Sequence, residues 1–411
     1  MNVRSVLMAI LIFVSINLCA QDQKESISNE LLQRAKELAQ TTLITDGHVD
    51  LPYRLKVRNF KLTREFLGIP IETSEGDFDY VRAKKGGLDA PFMSIYLPSS
   101  TQEVKGDAKA LADSLIDMVT GIAEEHPKNF RVAYNTGDCE ELFEKGIIAL
   151  PMGMENGAGI EDDLSNVAYF KKRGISYITL THSKDNLICD SSYDTTRTWG
   201  GLSPFGEEVV KEMNRVGIMI DISHVSDQTF YQVMELTNAP VIASHSSCRK
   251  FTPGFERNMS DDMIEHLGRN GGVIQINFGS SFLDGGIQKK LSEKRQELFN
   301  LLDENGLEAD SEEGKVLVQK FQDENPVLLA DVEMVANHID HVVRIAGIDH
   351  VGLGSDYDGV GDTLPTGLKD VSQYPNLIYT LLNRGYSEED IAKICYKNVF
   401  RVWNEVDELS E

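Results

Sequence analysis

At 411 residues the chain is long for one ordinary domain but normal for one α/β barrel with insertions. Hydrophobic residues make up 41% of it, enough to bury a large core, which excludes global disorder. A formal net charge of −25 at pH 7 repels nucleic acid and anionic lipid headgroups, so neither is an expected partner.

The first twenty residues differ from the rest. Arg4 is their only charge, Val6–Ile16 is an apolar run, and the small residue Ala20 precedes the polar Gln21-Asp22-Gln23-Lys24. A short positive start, an apolar core and a small residue predict a signal peptide over 1–20, cleaved after Ala20. The run is too short for a membrane span. An exported protein, periplasmic or extracellular, with no stable span after processing is therefore expected; an uncleaved N-terminal anchor is the alternative. Leu18 is bulky where a lipoprotein signal ending at Cys19 usually has a small residue.

Residues 21–411 read as a single domain. Short apolar, β-branched runs recur at Leu43–Leu51, Ala90–Leu97, Ile147–Met154, Ile175–Leu180, Gly217–Ile222, Pro240–Ser244, Gly272–Phe278 and His350–Gly354. Amphipathic stretches separate them, among them Asp107–Glu125, Leu164–Arg173, Gly206–Val216, Asp227–Thr237 and Asp261–Leu267. Strand and helix in alternation predict a parallel sheet with helices outside, and eight repeats predict closure into a (β/α)₈ TIM barrel. No GxGxxG follows the first run, which removes the main dinucleotide-binding signal. Ser280–Asp331 is too long and too charged for a simple loop, and predicts a helical insertion between strands seven and eight with a solvated charged face. Near the C-terminus Ser387–Val402 predicts a helix, with Ser387 as cap and Glu388, Glu389 and Asp390 in its first turn. Beyond the signal peptide, Cys139, Cys189, Cys248 and Cys395 form no CxxC pair, which excludes a zinc finger and leaves disulfides and free thiols both open.

Ionisable residues gather where these runs end, the face that carries chemistry in such barrels. The first run holds His48 and Asp50, two apart and so on one side of a strand. The third leads to Glu155, the fourth to His182, the fifth to His224, the sixth to His245 and the eighth to Asp356. A single histidine at a strand end is ordinary. Six strand ends carrying imidazole or carboxylate together would be costly to bury without cations, and imidazole with carboxylate suits zinc. His126, His266, His338, His341 and His350 lie on predicted helices or loops and read as structural.

Several longer motifs carry a family likeness. They are Asp46-Gly47-His48-Val49-Asp50, Leu180-Thr181-His182, Gly217–Ser226 with its Asp221-Ile222-Ser223-His224, Ala243-Ser244-His245-Ser246, Arg257-Asn258, Gly347–Gly359 and Asn398–Trp403. On these the chain resembles the membrane (renal) dipeptidase family, in the manner of a secreted bacterial member. The resemblance implies two Zn²⁺ per chain: His48 and Asp50 on one, His224 and His245 on the other, and Glu155 bridging both. It implies His182 against the substrate carbonyl, Arg257 binding the substrate, Asp356 as acid/base, dipeptides as substrates, and a homodimer among the assemblies. Where relatives commonly carry Glu-Gly-Gly, Asn-Phe-Tyr and Trp, this chain has Glu155-Asn156-Gly157, Asn277-Phe278-Gly279 and Met93, departures that bear on substrate preference through a missing aromatic wall.

The expected reaction is zinc-dependent hydrolysis of the peptide bond of a dipeptide by a hydroxide bridging two zinc ions. Arg257 offers a fork for a C-terminal carboxylate, which restricts the substrate to one residue beyond the cut. A binuclear amidohydrolase acting on N-acyl amino acids, cyclic amides or lactones is the first alternative, and a non-catalytic binding protein the second.

Overall fold

A computed structural model describes residues 28–59, 71–309 and 311–410. The expected signal peptide over 1–20 lies outside them. No helix among the described residues is long and apolar enough to cross a membrane.

Among the described residues ten strands form, in chain order β1 (Ile44–Val49), β2 (Leu88–Tyr96), β3 (Phe130–Val132), β4 (Ile148–Leu150), β5 (Met152–Glu155), β6 (Ile175–Thr179), β7 (Met219–Asp221), β8 (Ile242–Ser246), β9 (Val273–Ile276) and β10 (Val351–Leu353). Eight of them make one parallel sheet in the order β1-β2-β5-β6-β7-β8-β9-β10. The ring is drawn shut beyond the strand ends, where the Asp50 N–H donates to the Tyr357 carbonyl at 2.9 Å and the Asp356 N–H to that of His48 at 3.1 Å. The predicted (β/α)₈ barrel is thus present. Its strands are buried along nearly their whole length, as strands between a helical layer and a filled interior must be.

One predicted strand is two. Pro151 interrupts the run Ile147–Met154: Ile148–Leu150 pairs with Phe130–Val132 in a small side sheet, and Met152 onward enters the barrel. Proline has no N–H to give a ladder, so the chain changes sheets there. The side-sheet strand Phe130–Val132, only three residues long, was not foreseen.

Local capping explains where the barrel helices begin. Ser203, Ser226 and Ser260 accept backbone N–H groups at the starts of Pro204–Val216, Asp227–Leu236 and Asp261–Asn270. Gly217 and Gly271 end the first and last of these at positive φ. The insertion is helical as expected, with Gly285–Glu304 capped by Asp284 and Glu312–Glu324 capped by Ser311. Only Ile287 and Leu302 are buried on the longer helix, so most of its charged surface is solvated. At the C-terminus Ser387 and Asp390 form a reciprocal capping box, one π-helical turn follows at Lys393–Lys397, and Asn398–Glu408 completes the chain.

That last helix closes the barrel interior. Trp403 is fully buried with its ring 5.3 Å from that of Phe92, which in turn lies 5.5 Å from Tyr177. Tyr177 fits because β5 carries Gly153 beside it: a Cβ there would stand 1.9 Å from the tyrosine ring. Gly153→Ala is therefore expected to destabilise the fold by about 1–3 kcal/mol, the usual cost of overpacking. Denaturant unfolding checks this, and unchanged stability would mean that Tyr177 can step aside. Cys139, Cys189, Cys248 and Cys395 are each buried and free, which resolves the open question in favour of thiols.

Candidate metal centre

The barrel folds the predicted residues onto one spot. His48 lies on β1 with Asp50 just past its end; Glu155 ends β5; His182 follows β6; His224 follows β7; His245 lies on β8; and Asp356 follows β10. Glu155 is at the centre, 4% exposed. Its Oε2 faces His48 Nε2 at 3.4 Å. Its Oε1 faces His224 Nε2 at 3.0 Å, His245 Nε2 at 3.2 Å and His182 Nε2 at 3.6 Å. Asp50 Oδ2 stands 3.5 Å from His48 Nε2. Three overlapping groups have ligand atoms all within 4.8 Å of one another: His48, Glu155 and His245; Glu155, His182 and His224; His48, Asp50 and Asp356.

The backbone is bent to achieve this. His224 and Asp356 have φ of 67° and 63°, the left-handed region that non-glycine residues rarely adopt. Such conformations cost roughly 1–3 kcal/mol each and persist only where the surroundings enforce them. Asn156, directly after Glu155, has φ of 81°. A φ in that region favours glycine; here the Asn156 side chain offsets the strain by donating to the Leu97 carbonyl at 2.9 Å.

Several buried atoms of the cluster have no hydrogen-bond partner among the described residues: His48 Nε2, Asp50 Oδ1 and His224 Nδ1. Buried polar atoms are seldom left so. Four imidazoles and three carboxylates with unsatisfied nitrogen and oxygen atoms fit divalent cations, zinc above all by donor type. Burial, with the neighbouring His48 and Arg257, lowers His245 to about 4; burial and Arg257 hold His224 well below its usual range. Both are then neutral at pH 7, the form that binds metal. Burial first, and then the Asp50 carboxylate, push Asp356 up to about 7. A cation beside Asp50 would offset that second push.

Arg257 is 3% exposed and pairs with no carboxylate among the described residues. Its Nη1 donates to Ser246 Oγ and its Nη2 to the His245 carbonyl, each at 2.7 Å, while Nε is buried without a partner. Other aromatic rings stand near the cluster. Gly279 is bare, but Phe282 lies 5.4 Å from the Arg257 guanidinium, and the Tyr193 ring is 5.9 Å from His224 and 6.0 Å from Phe255. Met93 is buried in the core on β2, whose next residue but two, Tyr96, is the one that meets the His182 ring. Of the remaining histidines, His338 and His341 are held by Leu283 and Asp261, and His266 and His350 by backbone carbonyls, all away from the cluster.

Supporting residues escaped the sequence reading. Asp46 accepts the backbone N–H groups of His48 and Ser355, each at 2.9 Å, locking the ends of β1 and β10 together. Asn277 donates to Asp356 at 2.8 Å. Arg54 reaches Asp358 at 2.8 Å and ties the helix after Asp50 to the loop that carries Asp356. Tyr177, Asp221 and Ser244 stand behind the histidines. Asp46 and Asp221 each precede a site histidine by two or three residues, a signal that was available; the others have none.

Residues 32–411 match the membrane dipeptidase family (peptidase family M19). The chain belongs to this family. A membrane dipeptidase of this kind is a metallopeptidase that hydrolyses peptide bonds, and the family implies a metal cofactor. Among solved structures the chain is similar to the probable dipeptidase PvdM from Pseudomonas aeruginosa, at 27% identity and a TM-score of 0.76, over 93% of this chain and 99% of that one. It is similar to dipeptidase AC, a metallopeptidase of the same family, at 26% identity and a TM-score of 0.72, over 89% and 99%. It is also similar to a metallopeptidase from Rhodobacter sphaeroides liganded with a phosphinate mimic of the dipeptide L-Ala-D-Ala, at 25% identity and a TM-score of 0.71, again over 89% and 99%.

Proposed function

We propose that this membrane dipeptidase cleaves dipeptides at a two-zinc centre. His48 and Asp50 would hold one zinc and His224 and His245 the other, with Glu155 available to both. The observation that carries the reading is the division of Glu155, whose two carboxylate oxygens face different imidazoles beside a buried Arg257 with an unused N–H. Zinc at such a centre supplies a water acidic enough to act as nucleophile near neutral pH and polarises the scissile carbonyl.

The chain's own side chains do the rest. Arg257 holds the substrate's C-terminal carboxylate through its free N–H donors, in a pocket where a buried cation gains most from an anion. That fixes the distance from carboxylate to cut, so one residue follows the scissile bond. His182, beside Glu155 and supported by Tyr96, donates a hydrogen bond to the oxygen on which charge develops. Asp356, buried and held by Asn277, takes the attacking water's proton and hands it to the departing amine. The phosphinate dipeptide mimic in the Rhodobacter sphaeroides relative supports dipeptides as the substrate class.

Dialysis against a chelator is expected to abolish turnover, and restored zinc to recover it at two ions per chain. A panel of dipeptides, N-acyl amino acids and lactones then reads the substrate. Zinc-loaded protein inert toward dipeptides but active on lactones would overturn the proposal, as would full activity at one ion per chain. Export belongs to the same reading and rests on the apolar run before Ala20. It predicts a mature N-terminus at Gln21, which mass spectrometry of the processed protein tests.

A further inference from the structure

Two of the histidines are gripped from behind in a way that settles which ring nitrogen each can offer. His48 Nδ1 lies 3.0 Å from the Tyr177 hydroxyl, and that hydroxyl donates to the Gly47 carbonyl at 2.8 Å. A phenol has one proton. With it committed to Gly47, only the oxygen lone pairs face His48, so Nδ1 must carry a proton and donate. The lone pair of His48 is then on Nε2, the buried unpartnered atom turned toward Asp50 and Glu155.

His245 is held by a different device with the same outcome. Its Nδ1 lies 2.7 Å from Ser244 Oγ, and that hydroxyl donates to Asp221 Oδ2 at 2.6 Å. Asp221 is fully buried and also receives the Ser223 N–H at 3.0 Å, the Ser244 N–H at 2.8 Å and the Thr179 hydroxyl, so it offers Ser244 only acceptors. His245 Nδ1 must likewise donate, which leaves the lone pair on Nε2, facing Glu155 Oε1 at 3.2 Å and His224 Nε2 at 2.9 Å. His224 Nδ1 has no such support.

We infer that Tyr177, and Ser244 with Asp221, are positioning residues that preset His48 and His245 as Nε2 donors before any cation arrives, whereas no group among the described residues fixes His224 from its Nδ1 side. The inference rests on the metal-centre reading above but not on the substrate. The tyrosine is placed for this by the barrel: β6 turns it inward, and Gly153 on β5 leaves room for its ring.

Tyr177→Phe keeps the ring that fills the barrel and removes only the hydroxyl. In chelator-stripped protein titrated with zinc against a competing chelator, it is expected to lower affinity by roughly 10–100-fold, the usual effect of losing such outer support. Thermal unfolding of the metal-free variant should stay near wild type. Ser244→Ala should act alike on the second ion. Histidine nitrogen shifts of zinc-loaded wild type give a readout that needs no variant: His48 and His245 should both be bound through Nε2 with protonated Nδ1. Binding through Nδ1 at either residue would overturn the inference, as would unchanged zinc affinity in both variants. Failure of dipeptide turnover with these readouts intact would count against the substrate and leave the inference standing.

Discussion

Glu155→Gln is expected to empty the centre and end catalysis. The change is nearly isosteric, yet it replaces a carboxylate that faces four imidazoles by an amide that offers one weaker acceptor and an N–H₂ aimed at lone pairs. If Glu155 serves two ions as proposed, both lose a ligand, so metal analysis should find both sites depleted after dialysis, not one. Turnover should fall by roughly 10³-fold or more, given that metal ions supply several kcal/mol of transition-state stabilisation. The fold should persist, because the amide has nearly the carboxylate's volume and the packing of Trp403 on Phe92 is left as it is. A variant that retained two ions and most of its activity would remove Glu155 from the centre of the mechanism.

Asp356→Asn separates proton transfer from metal binding. If Asp356 moves the proton, the amide keeps its place beside Asn277 and both ions remain, while turnover drops by about 10²–10⁴-fold, the range for losing a general acid/base. The Michaelis constant should change little if, as proposed, Arg257 still holds the carboxylate. Metal content is the deciding measurement, because Asp356 also stands within reach of His48 and Asp50. Loss of an ion along with activity would make it a ligand instead.

Gly153→Ala bears on both results, because it perturbs Tyr177 without touching a candidate ligand. Lost zinc affinity there, with Glu155 and Asp356 intact, would place the cause behind His48.

The barrel was legible because its signal is local. Each strand is a short apolar run, and serine caps such as Ser203, Ser226, Ser260 and Ser387 mark helix starts within a few residues. The departure at Pro151 was legible in principle, for a proline within an apolar run demotes it. The short strand Phe130–Val132 was not, since three residues carry no period. At the site, His48, Asp50, Glu155, His182, His224, His245 and Asp356 all stood at or just beyond the ends of apolar runs, so strand polarity alone sent them to one rim.

The chain's order of apolar runs, caps and strand-end acids and imidazoles was enough to determine a barrel with an ionisable rim. Only the closed ring decided that Glu155 turns one oxygen to His48 and the other to His224 and His245, that Arg257 is buried with no carboxylate partner among the described residues, and that Tyr177 stands behind His48. The physical reason is range. Periodicity and capping are set between residues a few positions apart, whereas Tyr177 meets His48 across 129 positions, through a register between neighbouring strands that no local pattern encodes.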